Sequence, residues 1–163
     1  EQVCEMRVRV QPFSIAIRTA KPEGLAGLEM IYVARSRPDN KMKLRMPGSG
    51  EFRAYSLDDA KVKALVRRPL TQLGMGAILD LLGEVVRREK GLNNPIEVFT
   101  SDYVFANRPV TRYEIFTRRP HIQRAFYRAV VCVDKETKLP VRFESYDQPR
   151  AGGNSGGELM EVY

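Results

Sequence analysis

The chain has 163 residues, a length that one domain can hold around a single core. Apolar residues make up 43% of the chain and charged residues 29%, which excludes disorder over its whole length. The net charge of +7 predicts attraction to anionic partners, and the absence of a run of about 18 apolar residues excludes a transmembrane helix.

The first third of the chain has the alternating pattern of half-buried strands. In residues 4–10, apolar side chains at every second position are separated by Glu5, Arg7 and Arg9. Turn residues such as Pro38-Asp39-Asn40 separate the runs. The sequence therefore predicts a five-stranded antiparallel meander, with strands at residues 4–10, 13–18, 28–35, 41–46 and 52–57.

Residues 58–68 allow two interpretations. Ser56 and Asp59 have the spacing of a helix cap, whereas Pro69 ends the stretch and would equally suit an irregular connection. Asp58 and Asp59 are adjacent, so we expect them to cap a helix rather than form an acid/base pair.

One long amphipathic helix is predicted over residues 71–90. Its apolar residues follow the three-and-four spacing of a single stripe: Met75, Ile78, Leu81, Leu82 and Val85. Gly91 can supply a left-handed cap, and Gly74 would let the backbone approach a sheet closely. The prediction is a helix that packs against the sheet.

Strands resume after this helix. A hairpin is predicted from residues 125–133 and 139–146, joined by the polar loop 134–138. Residues 151–157 are glycine-rich and predict a flexible loop. The other strands are predicted at residues 96–99, 103–106, 110–117 and 158–163.

Candidate catalytic and metal-binding residues are few. His121 follows Pro120 in a predicted turn, where a surface histidine is favoured over a general base. Cys4 and Cys132 lie in predicted strands and, with one histidine in the chain, cannot complete a zinc site. We expect inert buried thiols, and one disulfide in an exported protein is the alternative. No catalytic residue, metal site or cofactor is predicted, and the chain is not expected to be an enzyme.

Basic residues lie on the polar faces of the predicted strands, and together they would form one face: Arg7, Arg9, Arg18, Lys41, Lys43 and Arg45. A simply solvated face is the favoured interpretation, and docking of an anionic partner is the alternative. Nucleic-acid binding is not expected, because Phe13 and Phe52 alternate with the apolar set and should be buried rather than offered for stacking.

The opposite faces are apolar and rich in methionine, a side chain that adapts to irregular apolar sites. An ordinary closed core and an open groove are both compatible with this pattern. The candidate groove residues are Met6, Ile15, Met42 and Met46 on the strands, with Met75, Ile78, Leu81 and Leu82 on the helix.

One segment has the order strand, Asp, polar loop, Leu-Pro and strand: Val131-Cys132-Val133-Asp134-Lys135-Glu136-Thr137-Lys138-Leu139-Pro140-Val141-Arg142-Phe143-Glu144. It resembles the hairpin of LolA- and LolB-like lipoprotein carriers. Three further segments resemble a bacterial domain-of-unknown-function family within that group, family 1571. They are Gln11-Pro12-Phe13-Ser14-Ile15, Arg68-Pro69-Leu70-Thr71 and Tyr146-Asp147. The resemblance implies an α+β, mainly antiparallel fold. It would be a curved half-open β-barrel with one long helix on the concave face.

The same resemblance implies a single LolA-like domain over residues 1–163, with the first helix and strand of such domains missing before Glu1. It also implies a non-enzymatic periplasmic protein that holds a lipid or a lipoprotein acyl chain between sheet and helix. The alternative is a subunit of the cell envelope or of a multiprotein complex, which docks an acidic partner through the basic face. Nucleic-acid binding ranks third.

Overall fold

Two five-stranded antiparallel sheets, each in its own compact unit, make up most of the structure, a computed structural model. The structure describes residues 2–34, 41–66, 68–117, 126–153 and 155–163. The units are residues Glu1–Ala77 and Ile78–Tyr163. The predicted turn at Pro38-Asp39-Asn40 and the predicted loop position of His121 lie outside the described residues.

The first sheet is the predicted meander. Its neighbours follow chain order, and every pairing is antiparallel. The alternation in the sequence explains this sheet, because each strand turns its apolar side chains to one face. The strands are β1 (Val3–Arg9), β2 (Ser14–Lys21), β3 (Glu29–Val33), β4 (Met42–Arg45) and β5 (Arg53–Tyr55).

A short helix resolves the ambiguous stretch that follows. Helix α1 (Ala60–Leu65) begins after Asp59, whose carboxylate accepts a hydrogen bond from the Lys61 amide at 2.8 Å. The predicted capping role is therefore confirmed for Asp59. A single 3-10 turn, Leu70–Gln72, comes next.

The long helix, α2 (Met75–Gly91), starts four residues later than the sequence predicts. Gly74 has a φ of +100°, outside the helical region, so it ends the preceding turn instead of lying inside the helix. Its close approach to a strand is confirmed, because a Cβ built on Gly74 would lie 3.1 Å from Cγ2 of Val8. The predicted left-handed cap at Gly91 was wrong, since Gly91 is helical and Asn93 has the positive φ, 51°.

The second sheet holds the predicted hairpin, β8 paired with β9, at its centre. The two short strands predicted at residues 96–99 and 103–106 are one continuous strand, β6. The order is β10-β9-β8-β7-β6. These strands are β6 (Ile96–Phe105), β7 (Arg108–Thr117), β8 (Arg128–Asp134), β9 (Pro140–Asp147) and β10 (Glu158–Val162).

The fold is thus mainly antiparallel β with one main helix. In the part of the chain that the structure describes, neither sheet closes on itself. The half-open barrel, the position of α2 on its concave face and the single domain stay predictions. No helix among the described residues has the length and apolar character that a membrane crossing requires.

Candidate functional site

The predicted groove residues of the first sheet share one face. Met6 lies opposite Ile17, and the pairing of Met30 with Leu44 carries the same face to β4. Ile15 and Met42 are on this face and are fully buried. Met6 is half-buried, and Met46, which follows β4, is 46% exposed.

On α2, Ile78 is buried, whereas Met75, Leu81 and Leu82 are half-buried. The amphipathic stripe predicted from the sequence is therefore present on the helix. Because each compact unit is described by itself, a joint groove made of the strand and helix residues stays a prediction.

A cleft that the sequence did not predict lies wholly within the first unit. It opens between α1 and the 3-10 turn and has a volume of about 460 Å³. Val62 and Leu70, each 2% exposed, form its apolar floor. The rest of the lining is Leu57, Asp58, Lys63, Val66, Arg68, Pro69 and Thr71.

The rim of the cleft is charged. Nζ of Lys63 lies 3.2 Å from the Asp58 carboxylate, and both side chains are largely exposed. Arg68, which is half-buried, adds a second positive charge. The arrangement pairs an aliphatic interior with a polar mouth, as small-molecule clefts commonly do. In the sequence, the apolar residues Leu57, Val62 and Val66 lie five and four positions apart, and this spacing was the signal from which an apolar surface on α1 could have been predicted.

The predicted basic residues do share one face of the first sheet. Arg7 lies opposite Ala16, which lies opposite Ile31, which in turn lies opposite Lys43. Arg18 and Arg45 occupy the neighbouring row, both opposite Glu29. Arg9 lies opposite Ser14 on this face, and Lys41 directly precedes β4 and is exposed. All six residues are exposed except Arg45, which is half-buried.

The expected burial of Phe52 was wrong. The register of β5 places Arg53 opposite Leu44, so Phe52 falls beside Arg45 on the basic face. Its ring is 36% exposed and lies 4.9 Å from the guanidinium carbon of Arg45. Phe13 is half-buried against Tyr32, with 6.3 Å between the ring centroids.

A second charged set lies on the second sheet and pairs internally. Glu114 forms ion pairs with Arg112 and Arg128, and the carboxylate of Glu144 accepts hydrogen bonds from Arg142 and Tyr146. We call these six residues the arginine layer. The buried side chains on the same face are Val110, Val130 and Cys132, of which Val130 lies opposite both glutamates and Cys132 opposite Arg112 and Arg142.

The arginine layer shifts the pKa values of two of its members. Burial by itself would raise the pKa of Glu144, but the hydrogen bonds from Tyr146 and Arg142 lower it below the ordinary value. Burial and the bond to Glu144 raise the pKa of Tyr146. Both carboxylates are paired within the layer, the arrangement of a structural layer rather than of a general base.

The two cysteines have different environments. Cys132 is buried as expected, but the expected burial of Cys4 was wrong. Cys4 lies on β1, the end strand of its sheet, and is exposed there, with its Sγ 3.6 Å from Oγ1 of Thr19. Among the described residues, no three His, Cys, Asp or Glu side chains come close enough to hold a metal ion.

Comparison with known proteins gives a family. The model of the family described as protein of unknown function, DUF1571, matches residues 1–163. No curated protein matches the chain.

Three solved structures are similar to the chain over most of its length. One is a domain from Vibrio parahaemolyticus described as an outer membrane lipoprotein-sorting protein, with 13% identity, 99% of this chain and 60% of that chain covered, and a TM-score of 0.36. The second is a DUF1329 family protein from Desulfovibrio piger, with 16% identity, 90% and 57% coverage, and a TM-score of 0.35. The third is a LolA superfamily protein from Nitrosomonas europaea, with 12% identity, 91% and 54% coverage, and a TM-score of 0.31. The chain spans less than two thirds of the length of each.

Proposed function

The chain belongs to the DUF1571 family, whose function is unknown, and from that premise we propose that it binds a lipid or acyl chain without transforming it. The proposed place of action is the periplasm. Both parts of the proposal are supported by the resemblance of the residue 131–144 hairpin to those of lipoprotein carriers.

The observation that carries the proposal is the cleft beside α1. Its volume of about 460 Å³ lies within the range of small-molecule sites, about 300–1,000 Å³. The floor and walls are aliphatic, through Val62, Leu70, Leu57 and Val66, and no aromatic ring lines them. Such a surface suits a flexible hydrocarbon chain, because aliphatic burial is non-directional and needs no stacking partner.

The charged rim favours an amphiphile over a plain hydrocarbon. Lys63, Arg68 and Asp58 line the mouth together, and these polar side chains suit the head group of an amphiphile. The tail would enter toward Val62 and Leu70. The groove predicted from the sequence offers less open surface, since Ile15, Met42 and Ile78 are fully buried.

The first test is whether purified protein holds such a ligand. Native mass spectrometry, after preparation without detergent, should show adducts of fatty-acid or phospholipid mass. Delipidated protein should take up a fluorescent fatty acid, which unlabelled fatty acid then displaces. Bare protein in the first measurement, together with no uptake in the second, would overturn the proposed function.

Matched variants assign the site. Leu57→Gln and Val66→Gln place an amide on the cleft wall, and each should weaken uptake about tenfold or more, since an unsatisfied buried amide costs about 1–3 kcal/mol. Met46→Gln is the control, a similar change in the predicted groove at an exposed position. Loss of uptake in Met46→Gln alone would reject the cleft and favour the groove.

A further inference from the structure

The exposed face of the first sheet carries cations around apolar side chains. Across four adjacent strands, one row reads Arg7, Ala16, Ile31, Lys43. Because neighbouring strands are about 4.8 Å apart, the backbones of Arg7 and Lys43 are separated by roughly 14 Å. Ile31 lies between them and is 36% exposed.

The charges of this face are only partly neutralised. Glu29 lies 2.7 Å from a guanidinium nitrogen of Arg45 and 3.9 Å from one of Arg18, so it offsets charge in that row. Within the described part of the chain, Arg7 and Lys43 make no ion pair. Arg9 donates to the Pro12 carbonyl and the Ser14 hydroxyl, which are neutral acceptors.

We propose that this face docks the protein onto a bilayer that contains anionic phospholipid. Among the described strand residues of this face, five cations (Arg7, Arg9, Arg18, Lys43 and Arg45) stand against two anions, Glu5 and Glu29, which leaves an excess of three positive charges. A planar anionic surface attracts such an array through every cation at once. Docking rests on the proposed function, because a protein that carries an acyl chain has to meet the membrane that supplies or receives it.

Exposed apolar side chains favour a bilayer over other polyanions. Ile31 and Phe52, each 36% exposed, lie among the cations and can enter the head-group region, as amphipathic membrane surfaces do. Nucleic-acid sheets of similar charge offer aromatic rings for base stacking. Among the described residues of this face, the aromatic side chain is Phe52. The guanidinium of Arg45 lies over its ring, where a base would have to stack.

The test is sedimentation with vesicles of phosphatidylcholine that contain about 30% phosphatidylglycerol, compared with phosphatidylcholine alone. The protein should bind the anionic vesicles and be released by added salt, because screening weakens exposed charges. Arg7→Gln combined with Lys43→Gln should weaken binding about 25-fold, since each cation near such a surface contributes about fivefold.

The control removes the same charge elsewhere, by Lys61→Gln on α1 and Lys138→Gln in the β8–β9 loop. Retained binding in this control supports the assignment. An equal loss in both pairs, or equal binding to neutral vesicles, would overturn it.

Tighter binding to single-stranded nucleic acid or to polyglutamate at the same salt concentration would also overturn the proposal, by assigning the face to another partner. Fatty-acid uptake by the Arg7→Gln, Lys43→Gln protein should remain unchanged. Failure of docking is therefore distinguishable from failure of the proposed function.

Discussion

Oδ1 of Asp134 accepts a hydrogen bond from the backbone amide of Thr137 at 2.8 Å, and this contact organises the loop of the central hairpin. The amide of Glu136 donates to the same oxygen at 2.9 Å, and Arg108 lies 3.5 Å from Oδ2. A carboxylate that accepts several donors in this way is stabilised in its ionised form. The amide of Thr137, followed by the other donors, accordingly lowers the pKa of Asp134 below its ordinary value.

Stability should therefore depend on the charge of Asp134. Because its pKa is lower in the folded chain than in the unfolded chain, its contribution is complete above the ordinary carboxyl range, about pH 4, and is lost as pH falls through the folded value. Asp134→Asn should lower the urea concentration of half-unfolding at neutral pH, and this difference should shrink as the pH falls through the folded value. Urea unfolding of both proteins at several pH values measures the difference.

The control for this prediction is Asp80→Asn, an exposed position on α2. It should unfold at the same urea concentration as the unaltered protein at each pH. A destabilisation in Asp134→Asn that stayed constant as the pH fell would contradict the charge argument and leave only loop shape as its cause.

Gly74 and Gly76, two residues apart, should respond to alanine in opposite directions. Gly74→Ala should destabilise the fold by about 1–2 kcal/mol or more, because φ is +100° and Cγ2 of Val8 lies 3.1 Å from the new Cβ. Gly76 lies in α2 with open space at its Cβ position, so Gly76→Ala should stabilise by up to about 1 kcal/mol.

Chemical denaturation of the two variants measures both effects, and each is the control for the other. Val8→Ala should relieve part of the Gly74→Ala loss, since it removes the methyl groups that the new Cβ meets. Stabilisation by Gly74→Ala would show that α2 can begin before Met75, as the sequence pattern predicts.

The strand faces could be predicted from the sequence because alternation is a local property. Arg7 and Lys43 were assigned to one face from a period of two, and the register of the first sheet agrees. Alternation also identifies the apolar set that includes Ile15 and Met42. The short turns between the runs predicted the neighbours within the first sheet, whereas the second sheet of five strands could be obtained neither from the turns nor from the alternation.

The features that could not be predicted from the sequence depend on tertiary structure. The cleft depends on α1 and the 3-10 turn lying close enough to share Val62 and Leu70 as a floor, which no single-segment periodicity reports. Phe52 reaches the basic face through the register of β5, set by its pairing with Leu44. The late start of α2 comes from the φ of Gly74, which its position on an apolar stripe does not reveal.

Arg128 should resist replacement by lysine. Its guanidinium lies 3.8 Å above the ring of Tyr146, and the side chain is 15% exposed. Lysine keeps the charge but loses the flat stacking surface, so Arg128→Lys should destabilise the protein by about 0.5–2 kcal/mol. Thermal unfolding measures the loss. Arg150→Lys, at an exposed ion pair with Glu158, is the control and should change stability by less than about 0.5 kcal/mol.

The two thiols should react at very different rates. Cys4 is exposed on an end strand, whereas Cys132 is 1% exposed and lies between Arg112 and Arg142 of the arginine layer. Burial, and then the nearby charge of Glu144, raise the pKa of the Cys132 thiol, which disfavours the reactive thiolate. A thiol reagent should therefore modify one cysteine promptly in the folded protein, and the second at a rate set by unfolding.

Mass spectrometry of the modified peptides identifies which thiol reacts, and Cys4→Ser is the control, because its folded form should show no prompt reaction. Urea should expose Cys132 at the same concentration at which the circular dichroism of the sheets is lost, since Cys132 lies at the centre of β8. Prompt modification of Cys132 in the folded protein would mean that the arginine layer opens without unfolding. The paired carboxylates beside it would then be accessible to solvent, and the layer would be a mobile cover rather than a fixed part of the second sheet.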